Sequence, residues 1–138
     1  MLKNQLAKLS IKIISNGSCQ NQSFQAKVNK SNNLIRISYD EVYENQDIST
    51  SFQVLSDNSL RITKKGAYSY NMHLVENQTT NFSLNYGGYG VDYKINTIKV
   101  KTQVYLDKIE IYAHYKLISK DQSTSTKIYL TAFLGELW

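Results

Sequence analysis

From residue 9 onward the apolar residues fall on every second position, and a period of two sustained over most of a chain leaves room for little besides half-buried strands. Leu9, Ile11 and Ile13 open the series. Phe24, Ala26 and Val28 follow the polar turn at Asn16-Gly17, and Ile35, Ile37 and Tyr39 follow Lys30-Ser31-Asn32-Asn33. Thr50, Phe52 and Val54 lead through Ser56-Asp57-Asn58-Ser59 to Leu60 and Ile62 at hairpin spacing. Gly66 punctuates the chain. Tyr68, Tyr70, Met72 and Leu74 then share one face, and Thr80, Phe82 and Leu84 repeat the pattern, so these two segments should pair.

The segment from Tyr89 to Leu106 adds a constraint. Val91, Tyr93 and Ile95 alternate in one phase, whereas Ile98, Val100, Thr102 and Val104 alternate in the other, so the phase slips near Asn96-Thr97. One extra residue in a strand is a β-bulge, which bends the strand. A bulge is predicted there. Asp107-Lys108 turns the chain into Ile109, Ile111, Ala113, Tyr115 and Leu117, and residues 120–123 turn it again into Ile128, Leu130, Ala132 and Leu134.

Strands joined by turns this short form an antiparallel meander, because parallel crossovers have no room. Closing the meander removes the exposed edges of an open sheet. The expected fold is therefore all-β: a single closed antiparallel barrel of about eight to ten strands, with a two-sheet sandwich as the alternative. Leu2, Leu6 and Leu9 share a helical face, which allows a short N-terminal helix over one mouth and makes residues 1–8 a lead segment to a single domain.

Composition agrees. At 138 residues, 41% hydrophobic and 20% charged, the chain suits one folded domain rather than a disordered one. Its net charge of +5 comes mostly from scattered lysines, since Arg36 and Arg61 are the only arginines. Abundant Lys, Asn, Ile and Tyr also match the codon bias of an AT-rich genome. Cys19 stands alone, so no internal disulfide forms. Residues 9–14 are too short for a secretory h-region and Lys12 interrupts them, and no apolar run approaches the ~20 residues of a membrane helix. A cytoplasmic protein without membrane contact is expected.

The sequence offers little for catalysis. His73 and His114 sit out of phase with the apolar sets and should point outward, with neither in reach of Cys19 or of a buried carboxylate. No His or Cys spacing suits a metal or a nucleophile triad. Asp40, Glu41, Glu44 and Asp47 share one connection without a calcium-loop pattern and read as a solvated acidic loop. Gly87-Gly88-Tyr89-Gly90 has no following helix and reads as a turn. A non-enzymatic protein with no metal or cofactor is expected.

Tyrosines are the unusual feature. Tyr39, Tyr68, Tyr70, Tyr93 and Tyr115 all share the apolar phase, so in a barrel they either fill the interior or line a pocket for a small, largely apolar ligand. On the pocket reading, Tyr70, Tyr93 and Tyr115 should border one solvent-reachable cavity on the order of a few hundred Å³. Tyr86, Tyr89, Tyr105, Tyr112 and Tyr129 read as outward and interleave with Lys99, Lys101, Lys116 and Lys127, as on single-strand nucleic-acid platforms. These lysines are expected to be spread around the barrel, which speaks against nucleic acid, so an RNA- or ribosome-associated module ranks second to the ligand binder and an enzyme of unrecognised constellation third.

Five stretches carry a family resemblance: Lys65-Gly66 before the strand containing Met72, Tyr86-Gly87-Gly88, Ile95-Asn96-Thr97, Ile109-Glu110-Ile111-Tyr112, and Tyr115-Lys116-Leu117. Across roughly residues 9–134 the order of segments resembles the YwiB-like family of small bacterial proteins. That family prefers Arg near Lys65 and Thr-Pro near Leu84-Asn85. The resemblance implies a calycin-type, lipocalin-like barrel of unknown function, and it supplies no reaction, ligand or catalytic residue.

Overall fold

The structure, a computed structural model, describes residues 3–135. Ten strands follow one another: β1 (Lys3–Ser15), β2 (Ser18–Lys30), β3 (Ile35–Tyr43), β4 (Gln46–Val54), β5 (Leu60–Gly66), β6 (Tyr68–Leu74), β7 (Thr79–Tyr86), β8 (Tyr89–Val104), β9 (Lys108–Ser119) and β10 (Gln122–Leu134). Each pairs antiparallel with its neighbours in sequence, and β10 closes the barrel on β1. Among the described residues no helix is long and apolar enough to cross a membrane.

The turns follow from local chemistry. Asn16-Gly17, Glu44-Asn45 and Gly87-Gly88 each take positive φ at both positions, the backbone that matches a two-residue hairpin to strand twist. These turns, with residues 66–67 and 120–121, form the upper end of the barrel. The loops at 31–34, 55–59, 75–78 and 105–107 form the lower end.

The expected short helix gives way to strand. β1 begins at Lys3, so Leu6 is outward and 61% exposed while Leu9 is fully buried. Leu2 and residue 1 lie outside the described residues. Residues 3–8 are thus no lead segment. Ala7 stands between Ala26 of β2 and Leu134 of β10, and a helix there would leave both strands an open edge.

The bulge lies where the phase slips. Thr97 opposes Tyr115 and Lys99 opposes His114, which leaves Ile98 as the extra residue, 38% exposed instead of inward with Val100. The freed N–H of Val100 donates to the Glu76 carboxylate at 3.0 Å. A second irregularity separates β6 from β7, whose ladder holds only Tyr68 opposite Tyr86 and Ser69 opposite Asn85. Farther down that seam the Thr80 hydroxyl donates to the His73 carbonyl at 2.7 Å in place of a backbone bond.

The lower half of the interior is packed. Leu9, Ile11, Ile37, Leu60, Leu74, Ile95, Ile109, Ile111 and Leu130 are essentially inaccessible there and belong to one contiguous core. Aliphatic side chains interdigitate at this spacing. The upper half is built largely from rings.

Candidate functional site

Strand alternation sends Tyr39, Tyr68, Tyr70, Tyr93 and Tyr115 into the barrel, as their phase predicts. The rings form a chain. Phe82 stacks on Tyr93 at 5.2 Å between centroids and meets Tyr70 edge-on at 5.8 Å, while Tyr68 stacks on Tyr70 at 6.2 Å and meets Tyr43 edge-on at 5.4 Å. Planar rings at such angles do not tile a barrel, and a cavity of about 460 Å³ opens among them at the upper end. Tyr43, Tyr68, Tyr70, Met72, Phe82, Leu84, Tyr86, Tyr93, Tyr115 and Leu117 line it. Tyr39 is the exception among the expected five: it is buried beside the cavity, stacked 4.5 Å from Phe24 and 6.4 Å from Phe52.

Tyr86 is a correction. Read as outward, it extends the inward phase of Phe82 and Leu84 by one step to the rim, where its hydroxyl donates to Glu44 at 3.3 Å. The same extension places Tyr43, two steps beyond Tyr39. The phenols beneath the rim stay protonated. Burial pushes the Tyr115 hydroxyl up to about 12, with Thr126 partly offsetting it. Burial also raises Tyr70, and burial followed by the charge of Glu41 raises Tyr39. Neutral phenols line an apolar space at lower cost than charged groups.

Sequence reasoning missed an ion pair beside this cavity. Glu41 and Lys64 continue the inward phases of Ile37-Tyr39 and Leu60-Ile62, and their charged ends meet with side chains only 15% exposed. The Thr50 hydroxyl donates to the same Glu41 oxygen at 2.7 Å, and the Lys64 ammonium lies 6.0 Å from the Tyr68 ring centroid. The supposed acidic loop is therefore divided by alternation: Glu41 is inward, whereas Asp40 is outward and accepts from Ser49 at 3.3 Å. Among the described residues no group of three His, Cys, Asp or Glu side chains is placed to hold a metal ion.

The histidines take the outward phase, each bonded to a serine. His73 Nε2 lies 2.9 Å from Ser59 Oγ, and that hydroxyl donates to Asp57 Oδ1 at 2.5 Å, so the histidine is the donor to Ser59. Asp57 is held below its usual range, chiefly by the Ser59 hydroxyl. The order acid, serine, histidine reverses what a nucleophile needs, since the carboxylate holds the serine proton and orients no imidazole. His114 meets Ser125 at 3.1 Å and is held below its usual value, first by desolvation and then by Lys127 and Lys116. Cys19 is exposed on β2.

The outer lysines are gathered rather than spread. Residues on β8, β9, β10 and β1 align as Lys101, Tyr112, Tyr129, Lys12 in one row and as Lys99, His114, Lys127, Ile14 in the next, with Lys116 in the row beyond. The bulge is the cause, because the extra residue turns Lys99 and Lys101 outward after a stretch in which odd positions face inward. Tyr112 and Tyr129 lie 4.9 Å apart, and Lys12 approaches Tyr129 at 5.9 Å.

A family model described as "Domain of unknown function (DUF1934)" matches residues 8–129. No curated protein matches the chain. Among solved structures, the ywiB protein from Bacillus subtilis is similar over 98% of this chain and 96% of its own, with a TM-score of 0.83 and 16% identity. Identity that low speaks for the ten-stranded barrel and not for its chemistry.

Proposed function

Since this chain belongs to the DUF1934 family of unknown function, and membership brings no activity with it, we propose from the site's geometry that it is a non-enzymatic, cytoplasmic binder of a small, largely apolar molecule. One observation carries the reading: Tyr68, Tyr70, Tyr93 and Tyr115 converge with Phe82 and Met72 on a single open cavity of about 460 Å³. That volume falls in the range of small-molecule sites, and a mostly apolar wall with a few phenol hydroxyls matches their usual lining. The packed lower half supports the rings from below. His73, His114 and Cys19 lie outside this lining.

An uncharged fluorophore, N-phenyl-1-naphthylamine, tests the reading without involving the basic outer surface. Saturable micromolar binding, insensitive to salt, is the expected result. Leu84→Trp fills the mouth with a ring and is expected to weaken binding at least about tenfold, with the melting temperature little changed. Absence of saturation, or equal binding by Leu84→Trp, would remove the proposal.

The aligned lysines and tyrosines favour a second reading, a module for single-stranded nucleic acid on the β8–β10 face. Stacking on an aromatic side chain is worth about 1–3 kcal/mol per base, and binding to phosphates falls by about 0.7 powers of salt per contact on single strands. Filter binding to a single-stranded RNA pool at two salt concentrations should then show submicromolar affinity that survives physiological salt and drops with Tyr112→Ala. Weak retention indifferent to that substitution would dismiss it.

A further inference from the structure

Both arginines of the chain, far apart in sequence, meet on the outer face of β3–β5 opposite the lysine face. Strand register explains how. One row across the sheet reads Asn29, Arg36, Gln53, Arg61, His73 from β2 to β6, and the next reads Lys27, Ser38, Ser51, Thr63, Asn71. Beyond it stand Asp40, Ser49 and Lys65. A row of short hydroxyl side chains thus lies beside a row of long ones, with Lys27 at its β2 end and Lys65 one row beyond it on β5. The result is a trough of about 680 Å³ whose walls include Lys27, Arg36, Arg61 and Lys65 and whose floor is Ser38, Ser51 and Thr63.

Charge in the trough is unbalanced. Among the described residues none of these four cations pairs with a carboxylate, and the single acid of the wall, Asp40, is engaged by Ser49. Arg36 and Arg61 stand two strand spacings apart, about 10 Å, with the hydroxyl row about 7 Å farther along the strands. Forked guanidinium donors at that separation suit two oxyanion groups on one ligand, with Gln53 supplying a neutral donor between them and the hydroxyl row further donors to one side. The trough offers no exposed ring for a base to stack on.

We infer that this outer trough binds a small polyanion bearing two or more phosphate-type groups, at a site separate from the aromatic cavity. The Arg36 and Arg61 guanidinium groups hold two of its oxyanions on either side of Gln53, the hydroxyl floor beside that row takes the remainder of the ligand, and Lys27 and Lys65 flank the floor.

Tripolyphosphate titrated into the intact chain at low salt, followed by calorimetry and by amide chemical shifts, tests this site. Saturable submillimolar binding is expected, with shifts confined to β2–β6. The double substitution Arg36→Gln, Arg61→Gln should weaken it at least about tenfold, and Lys101→Gln, Lys127→Gln on the other face should leave it within about twofold. Ser38→Leu keeps every charge but fills the floor, so it too should weaken binding. Far-ultraviolet circular dichroism shows that each variant is folded. Failure to saturate, equal loss on neutralising the other face, or occupancy of the trough by single-stranded RNA in preference to tripolyphosphate would overturn the assignment.

Discussion

Raising the pH from 10 to 12 is expected to unfold the barrel in a single steep step. Tyr39, Tyr70 and Tyr115 are buried with their hydroxyls protonated, and Tyr115 keeps its proton up to about 12 against an ordinary value of 10.0. Below pH 10 folded and unfolded chains both hold these protons, so the groups make no difference to stability. Above it the unfolded chain gives them up while the barrel retains them, and the balance moves toward unfolding. For Tyr115, a rise from 10.0 to about 12 is worth about 3 kcal/mol once the pH has passed the higher value, and the raised Tyr39 and Tyr70 act in the same direction. Against the 5–15 kcal/mol that roughly bounds an ordinary domain, that is a large share.

Tyrosinate absorbance and circular dichroism followed together would check this. Among the eleven tyrosines of the chain, Tyr39, Tyr70 and Tyr115 should ionise only as the β signal is lost. Tyr115→Phe removes one of the three protons and should move the unfolding midpoint to higher pH. Eleven tyrosines titrating together near the ordinary value, with the barrel intact, would mean that these rings are not enclosed.

What the sequence disclosed and what it concealed divide along one line. Properties carried by a single strand were legible: the period of two placed the five inward tyrosines, and the slip near Asn96-Thr97 pointed to the bulge that the structure has at Ile98. Properties that arise between strands were not. Lys99 and Lys127 become neighbours through His114, and Arg36 and Arg61 through Gln53, because of register, which depends on the combined effect of turns and bulges. Glu41 and Lys64 were obscured for a related reason. Each carried the inward phase alone as a charged residue, and only the closed barrel supplies a partner that makes such a position tenable. Leu2, Leu6 and Leu9 carried a helical pattern in the sequence, but from Lys3 onward the need to close the barrel against Val28 and Leu134 outweighed it.

The largest effect of a single substitution is expected at Gly66, the last residue of β5. Its φ of +146° is one that L side chains rarely adopt, and it faces a wall of backbone. A Cβ there would sit 2.3 Å from the Asp47 carbonyl oxygen and 3.0 Å from the Ile48 Cα, neither of which can swing away as a side-chain tip would. Gly66→Ala therefore combines backbone strain of about 1–3 kcal/mol with overpacking of about 1–3 kcal/mol, for a loss of roughly 2–6 kcal/mol. At roughly 4 °C per kcal/mol for a domain of this size, the melting temperature should fall by about 8–24 °C. Gly17→Ala is the matched control: φ is again positive, at +79°, but nothing lies within 4 Å of the added carbon, so only the left-handed backbone cost of about 1–2 kcal/mol applies. Equal melting temperatures for the two variants would show that β4 and β5 yield at Gly66. The consequence should reach the cavity as well, because the turn after Gly66 sets Tyr68 and Tyr70 against Lys64. Pushing β5 off β4 moves that wall, and naphthylamine binding measured below the lowered melting temperature should weaken in Gly66→Ala while it persists in Gly17→Ala.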